Sequence, residues 1–459
     1  MGFNNDKALR INSSNNSQGS SSLFINLSHR KLFYMEHYGC ESNKYDFEIM
    51  LANLESAGYE RVKNPDYADL IIINTCGVKK PTEDKILRRL WELNKLNKPI
   101  IITGCLPRIN LPAIKSIVPN YSAVMDPFTI HKIASIAKRA IEGEKGIICF
   151  SNKPIIKTKM PKKQTNKYIK TIQIAEGCMG ACSYCCTKFA RGRLFSYPKE
   201  LIIEEIKNAL EKGSIEIRLT AQDTGAYGID LGYRLVDLIN EILSINKEFR
   251  IRIGMMNPTH ALSIASKLIE LLKDPRVYKF IHVPVQSGSD KVLKEMKRNY
   301  TIKEFKDLVK SFRENVSNIT IATDIIVGFP TESDKDFEET LKLLNEIKPD
   351  IVNISKFMPR PNTEAASMEQ LDPKIVKHRS KILSLLATQI SLENNKRLIG
   401  LEFNAYVTEE KIDNEVFLGR IENYKPVILK GKDLLGKKVK VKITQAFPRY
   451  LIGEFIKVV

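Results

Sequence analysis

Three cysteines each stand at the end of an apolar run of strand length, and this placement constrains the fold more than any other feature. "KLFYMEHYGC" runs into Cys40, "DLIIINTC" into Cys76 and "PIIITGC" into Cys105. Between the first two, Phe47, Met50, Leu51 and Leu54 fall at helical spacing, and Gly58 is positioned as a C-cap. Between the next two, "PTEDKILRRLWELNKLN" opens on Pro81 with an acidic first turn, as helix N-termini prefer. A β-α-β-α-β order makes the strands parallel and brings their carboxyl ends to one edge of the sheet. Open α/β sheets place their ligands at that edge. Three thiols distant in sequence are therefore expected side by side.

Further along, a strand-helix unit recurs about six times over residues 168–358. The strands are "YIKTIQIA", "EIRLT", "RIRIGM", "KFIHVPV", "ITIATDIIVG" and "DIVNISKFM". Six units fall short of an eight-fold barrel, so a partial, open barrel of parallel strands is expected, with its chemistry at the strand carboxyl ends. A long amphipathic helix follows over 371–399. From about 400 the pattern turns to short strands with glycine turns, the mark of a small β-barrel. The fold class is thus α/β: an N-terminal open parallel α/β domain (31–150), a basic linker (151–167), a central partial (β/α)6 barrel (168–399) and a C-terminal β-barrel (400–459). Residues 151–170 hold seven lysines and no acid and read as a solvated connection. Residues 1–30, polar and rich in Ser and Asn, read as a disordered tail. They lack the apolar core of a secretory signal, and Asp6 breaks the myristoylation pattern.

The loop after the first barrel strand carries Cys178-Met-Gly-Ala-Cys182-Ser-Tyr-Cys185. Thiolates suit iron–sulfur clusters, and a three-then-two spacing lets one loop wrap three corners of a cubane. Gly177 and Gly180 give that loop freedom to bend. The fourth corner is left for an outside ligand. Zinc sites usually pair two Cys-x-x-Cys knuckles, and no second knuckle exists here. With eight cysteines in a large chain and no export signal, metal or redox chemistry is expected rather than disulfides. Cys186 reads as a spare thiol, Cys149 as a buried strand thiol, and His282 as a satisfied core histidine.

Cys-x-x-x-Cys-x-aromatic-Cys at the end of a first barrel strand resembles the radical S-adenosylmethionine (SAM) superfamily. With "YGC", "NTCGVKKPTED", "TGCLP", "GCMGACSYCCTKFARGRLFSYP", "LTAQDTGAYG", "HVPVQSGSD", "TDIIVGFPTE" and "KFMPRPNTEAA", the chain from about 31 to 459 resembles the methylthiotransferases, and most closely their archaeal and eukaryotic threonylcarbamoyladenosine tRNA branch. Cys186 departs from the family, which usually has an apolar residue there. The resemblance implies two 4Fe-4S clusters and SAM as cofactors. Cys178, Cys182 and Cys185 would hold the cluster that binds SAM, and one-electron reduction would release a deoxyadenosyl radical. Cys40, Cys76 and Cys105 would hold a second cluster that carries sulfur for insertion, and a second SAM would give the methyl group. Tyr184 is expected against the SAM adenine. Gln222 and Asp223 follow the second barrel strand, Arg252 on the third would pair with the SAM carboxylate, and Asp324 lies within the fifth.

The net charge of +19 makes a polyanion partner plausible. "ENYKPVIL" resembles a TRAM domain, an RNA-binding barrel. From Lys425 to Val459, nine Lys/Arg face only Asp433 and Glu454, and Tyr424, Phe447 and Tyr450 suit a nucleic-acid platform. Related enzymes modify either tRNA or a basic ribosomal protein, and a basic module favours tRNA. The expected partners are tRNA and an electron donor, with no membrane, in the cytoplasm. Two other readings compete. One is an isopentenyladenosine tRNA methylthiotransferase, against which "GCLP" and "AQDTGAYG" argue. The other is a non-catalytic RNA-binding iron–sulfur protein, which would have no use for a barrel with an open-iron loop.

Overall fold

The computed structural model describes residues 31–412 and 414–459. The tail assigned to residues 1–30 lies outside the described residues.

The N-terminal unit is a six-stranded, wholly parallel sheet: β1 (Lys31–His37), β2 (Tyr59–Val62), β3 (Leu70–Thr75), β4 (Ile100–Gly104), β5 (Ala123–Met125) and β6 (Ile147–Cys149). Three of these strands, β2, β5 and β6, go beyond the three the apolar runs predict. The spatial order is β2-β1-β3-β4-β5-β6. Strand order therefore reverses between β1 and β3, the switch point that opens a ligand crevice in doubly wound sheets. β3 is buried throughout, as a parallel strand covered on both faces must be. Leu70 and Ile72 face one core, and Ile71 and Ile73 the other.

β1 stops at His37, short of the cysteine. Cys40 instead caps the helix Glu41–Ser56. Gly39 makes the turn with φ +114°, and a Cβ there would lie 2.8 Å from both the Asn43 Nδ2 and the Cys76 Cβ. The helix 41–56 is not a one-sided surface helix. Besides Phe47, Met50, Leu51 and Leu54 it buries Asn43, Tyr45, Asp46 and Glu48, because its polar side meets the central domain. Gly58, just past its end, takes the left-handed φ expected of it.

The central domain begins with β7 (Ile169–Gln173). A small antiparallel clamp, β8 (Ala175–Glu176) with β9 (Phe195–Ser196), then pinches the two ends of the cysteine loop together. β10 (Glu216–Thr220) and β11 (Arg250–Arg252) pair in parallel in the order β11-β10-β7. β12 (Phe280–His282), β13 (Thr320–Val327) and β14 (Ile351–Lys356) form the second half of the arc. A parallel bridge from Met255 to His282 joins the halves. All six predicted strands are present. The intervening helices bury Ile, Leu, Val and Phe against the outer face of the arc.

After the helix Pro373–Lys396, β15 (Glu402–Ile412), β16 (Val416–Ile421), β17 (Pro426–Lys430), β18 (Lys438–Ala446) and β19 (Leu451–Val458) close into a barrel in the order β15-β16-β17-β19-β18. Alternate residues such as Val439, Val441 and Ile443 fill its core.

The lysine-rich connection departs from the solvated linker its composition suggests. Lys157 is fully buried. It bonds Asp46 at 2.6 Å and also pairs with Glu176. Lys162 and Lys170 both reach Glu205, at 3.2 and 3.1 Å, beside the Tyr45 hydroxyl. Composition signalled a polar segment, but the acids that neutralise it sit on elements remote in sequence. Burial pulls the Lys162 ammonium down to about 8 from an ordinary 10.5, against the pull of Glu205. Between those two values the unfolded chain holds more protons than the folded one, so stability contributed by this side chain rises with pH. Relative to Lys162→Met, the wild-type chain should gain on the order of 2 kcal/mol between pH 7 and pH 9.5 in denaturant titrations. A difference between the two chains that is flat across that window contradicts this.

Candidate active site lined by six cysteines

The carboxyl ends of β1, β3 and β4 and the loop after β8 face one cavity of about 570 Å³, a size that accommodates a cofactor-sized ligand. Cys40, Cys76, Cys105, Cys178, Cys182 and Cys185 all line it. The two sets of three thus come from different domains and meet across one space. Every cysteine is a free thiol.

Asn43 is the hub on the N-terminal side. Its Nδ2 donates to the Tyr38 and Thr75 carbonyls at 2.8 and 2.9 Å, which ties the Cys40 turn to the Cys76 turn. Its Oδ1 accepts from Arg191 at 2.5 Å and from the Cys105 thiol at 3.7 Å. Arg191 is fully buried and also pairs with Asp46 at 2.8 Å and Glu176 at 3.2 Å. Its only sequence signal was its position in "FARGRL", just past the cysteine loop.

In that loop, Gly180 N–H donates to the Cys178 sulfur at 3.2 Å, and a Cβ on Gly180 would lie 3.4 and 3.7 Å from the sulfurs of Cys178 and Cys182. Arg298 donates to the Cys182 sulfur at 3.4 Å. Donors aimed at sulfur suit the electron-rich thiolates of a cluster. Burial pushes the Cys105 and Cys178 thiols up to about 12, and raises Cys76 and Cys185 as well. Such thiols ionise only against a strong local positive charge, which a coordinated metal provides. Six thiols in two sets of three on one cavity, with N–H donors aimed at two of the sulfurs, fit iron–sulfur clusters.

The remaining predicted site residues all line the same cavity, in different states. Gln222 is engaged at both ends: its Oε1 accepts from Gly177 N at 2.7 Å, and its Nε2 donates to Ser42 at 3.3 Å. Asp223 accepts from the backbone N–H groups of Gly225 and Asn257 and pairs with His260 at 2.6 Å. Asp324 accepts from Asn353 and pairs with His282, both at 2.8 Å. Burial pushes its carboxyl up, but His282 and Asn353 outweigh this and hold it below the ordinary value. Tyr184 packs against the cluster formed by Val292, Met296, Phe329 and Ala365. Arg252 differs from the rest. Its side chain makes no hydrogen bond or ion pair among the described residues, its Nε is buried without a partner, and desolvation pulls its pKa below the usual arginine value.

Cys186 lies off the cavity. It is buried and donates to the Gly77 carbonyl at 3.4 Å. Arg360 bonds the same carbonyl at 2.7 Å and pairs with buried Glu83, so both brace the Cys76 turn. Cys149 ends β6 at the far side of the sheet and is only half-buried.

Sequence comparison places the same three units on the chain. The Radical SAM superfamily matches residues 172–344, the uncharacterized protein family UPF0004 matches 32–126, and the TRAM domain matches 396–456. Among solved structures, the radical S-adenosylmethionine methyltransferase TsrM of Kitasatospora setae, with cobalamin and a 4Fe-4S cluster bound, shares the fold. Its TM-score is 0.53 at 12% identity, over 73% of this chain and 74% of that one. Fold and site thus define a radical SAM protein with a second cysteine-bearing domain and a TRAM barrel. Two curated relatives narrow this. A probable threonylcarbamoyladenosine tRNA methylthiotransferase of Pyrococcus horikoshii is 42% identical over 92% of this chain and 99% of its own length. The threonylcarbamoyladenosine tRNA methylthiotransferase of Xenopus laevis is 37% identical over 92% of this chain and 76% of its own. The chain belongs to the threonylcarbamoyladenosine tRNA methylthiotransferase family.

Proposed function

We infer that this chain is a tRNA methylthiotransferase that converts N6-threonylcarbamoyladenosine beside the anticodon into its 2-methylthio derivative. The observation that carries the inference is the meeting of two cysteine triads, from two domains, on one cavity. Cys178, Cys182 and Cys185 would hold one 4Fe-4S cluster and Cys40, Cys76 and Cys105 the other. Bound there with SAM, the two clusters supply one-electron sulfonium cleavage, hydrogen abstraction, sulfur insertion and methyl transfer.

The chain's own residues do the rest. Arg252 offers a desolvated guanidinium to the SAM carboxylate, where the low dielectric strengthens the pair. Tyr184 supplies an apolar flank for the adenine. Arg191 and Asn43 keep the two loops in register. On the C-terminal barrel, Lys430, Lys432, Lys437, Lys442, Arg449 and Lys457 are exposed, which suits tRNA phosphates. Phe447 and Tyr450 stack at 4.7 Å beside them. An electron donor must supply the reducing equivalent, and eight free thiols suit the reducing cytoplasm.

Nucleoside mass analysis of tRNA from cells expressing the chain tests this. A methylthio group should appear on threonylcarbamoyladenosine. If isopentenyladenosine alone gains it, the substrate assignment fails.

A further inference from the structure

Tyr424 sits in the turn between β16 and β17 with φ +67°. A bulky residue in this left-handed region is rare and persists only where surrounding contacts enforce it. Here the turn's own bonds set it, from Tyr424 N to the Ile421 carbonyl at 2.8 Å and from Ile421 N to the Lys425 carbonyl at 3.2 Å, as in a three-residue hairpin loop, and the central domain holds the turn from outside. The Glu422 carbonyl accepts from Lys279 N at 2.9 Å, just before β12. Lys425 is buried, paired with Asp350 at 2.8 Å and bonded to Asn395 at 2.6 Å. The turn is thereby fastened beneath the arc of parallel strands, and Tyr424 is not the exposed platform its sequence suggested.

Its ring packs on Tyr278 at 4.8 Å and Phe280 at 5.0 Å. The Arg252 guanidinium lies 5.2 Å from the Phe280 ring and 5.8 Å from the Tyr424 ring. The Arg252 side chain has no hydrogen bond or ion pair among the described residues, and Glu41 and Glu216 attract it only through space; these two rings are its direct polar contacts. One belongs to the central domain, and the other is delivered by the C-terminal barrel. A guanidinium held against ring faces spends no N–H group on a protein acceptor, and Arg252 lines the cavity.

We propose that Tyr424 is a positioning residue for the cofactor site: the C-terminal barrel reaches under the central domain and, with Phe280, clamps Arg252 in the orientation that receives the SAM carboxylate. The proposal rests on the reading of Arg252 given above. It makes the barrel part of the SAM site as well as an RNA-binding module. The Tyr424 hydroxyl has no hydrogen bond among the described residues, so the ring is the operative group.

The test is the SAM dissociation constant of the full-length, anaerobically reconstituted protein. Tyr424→Gly and Tyr424→Asn both tolerate the left-handed turn and delete the ring. Each should weaken SAM binding about tenfold, the scale of one desolvated cation–ring contact. Tyr424→Phe should bind SAM like the wild type. Arg252→Gln should weaken binding at least as much, and Arg252→Gln combined with Tyr424→Gly should add nothing further. Wild-type SAM affinity in both ring-deleted variants, with Arg252→Gln impaired, would overturn the role of Tyr424 and leave that of Arg252 standing. Wild-type affinity in Arg252→Gln would overturn both. A simple packing role predicts a lower melting temperature with SAM affinity unmoved.

Discussion

Replacing Cys182 with alanine should stop cleavage of SAM, whereas replacing Cys76 should leave cleavage in place and abolish thiolation of tRNA. The two residues line the same cavity, so a purely local disturbance would affect both activities alike. The separation expected here follows from the scaffold. Cys182 belongs to a loop pinned by its own β8–β9 clamp and by the bond from Ser183 N to the Met296 carbonyl at 3.2 Å. Cys76 belongs to the N-terminal sheet and is steadied by Asn43, Arg360 and Cys186. Loss of a partner that merely orients a metal ligand typically costs 10–100-fold. Loss of the ligand itself should therefore lower the affected step by more than about 100-fold. The measurement is 5′-deoxyadenosine released on anaerobic reduction with SAM, beside methylthio-nucleoside in the tRNA and the iron content of each variant. Iron should fall by about half in both variants, because each retains one complete triad. Equal loss of 5′-deoxyadenosine in both would show that the triads do not act separately.

The architecture was largely written in the apolar pattern, for a physical reason. Parallel strands buried on both faces need unbroken apolar runs, and "LIIIN" and "IIIT" can form little else. The strands missed were β2 and β5, while β6 was read only as the strand holding Cys149. Tyr59–Val62 has four residues with two charges, and Ala123–Met125 has three residues. Runs that short carry no readable period. The candidate site was legible because five of its six cysteines directly follow a strand or sit in one loop, positions that topology brings together, while Cys40 opens the helix three residues past β1. What failed to show was pairing across long sequence separations. Nothing local says that Lys157 meets Asp46, that Arg191 meets Asn43, or that Tyr424 turns inward to Arg252. Lys157 and Tyr424, read as solvent-facing, instead acquire partners from another domain. Gln222, Asp223 and Asp324 were placed at the cavity by their strand positions, but only coordinates reveal that protein partners already occupy their polar atoms.

Lys157→Met should be strongly damaging although it lies away from the cysteines. Lys157, Asp46, Glu176 and Arg191 are all buried, and two cations face two carboxylates. Neutralising Lys157 leaves Arg191 alone to balance both acids in a desolvated interface. Removing one member of a buried ionic network usually costs about 3–5 kcal/mol, because the charges left behind have no water to replace the lost partner. The residual pairing to Arg191 puts the expectation near the lower end, roughly 3 kcal/mol and a fall in melting temperature of at least about 5 °C. The methionine stem fills much of the volume, so a loss of this size would be electrostatic rather than a packing defect. Asp46→Asn provides the check. In the double variant one guanidinium faces one carboxylate again, and more than half of the lost stability should return. A single variant that melts at or above the wild-type temperature would mean that the interface relaxes freely around these charges. The same network carries Arg191, and through it Asn43 and the Cys40 and Cys76 turns. Lys157→Met should therefore also retain less iron at the N-terminal triad after reconstitution, although it touches no cysteine.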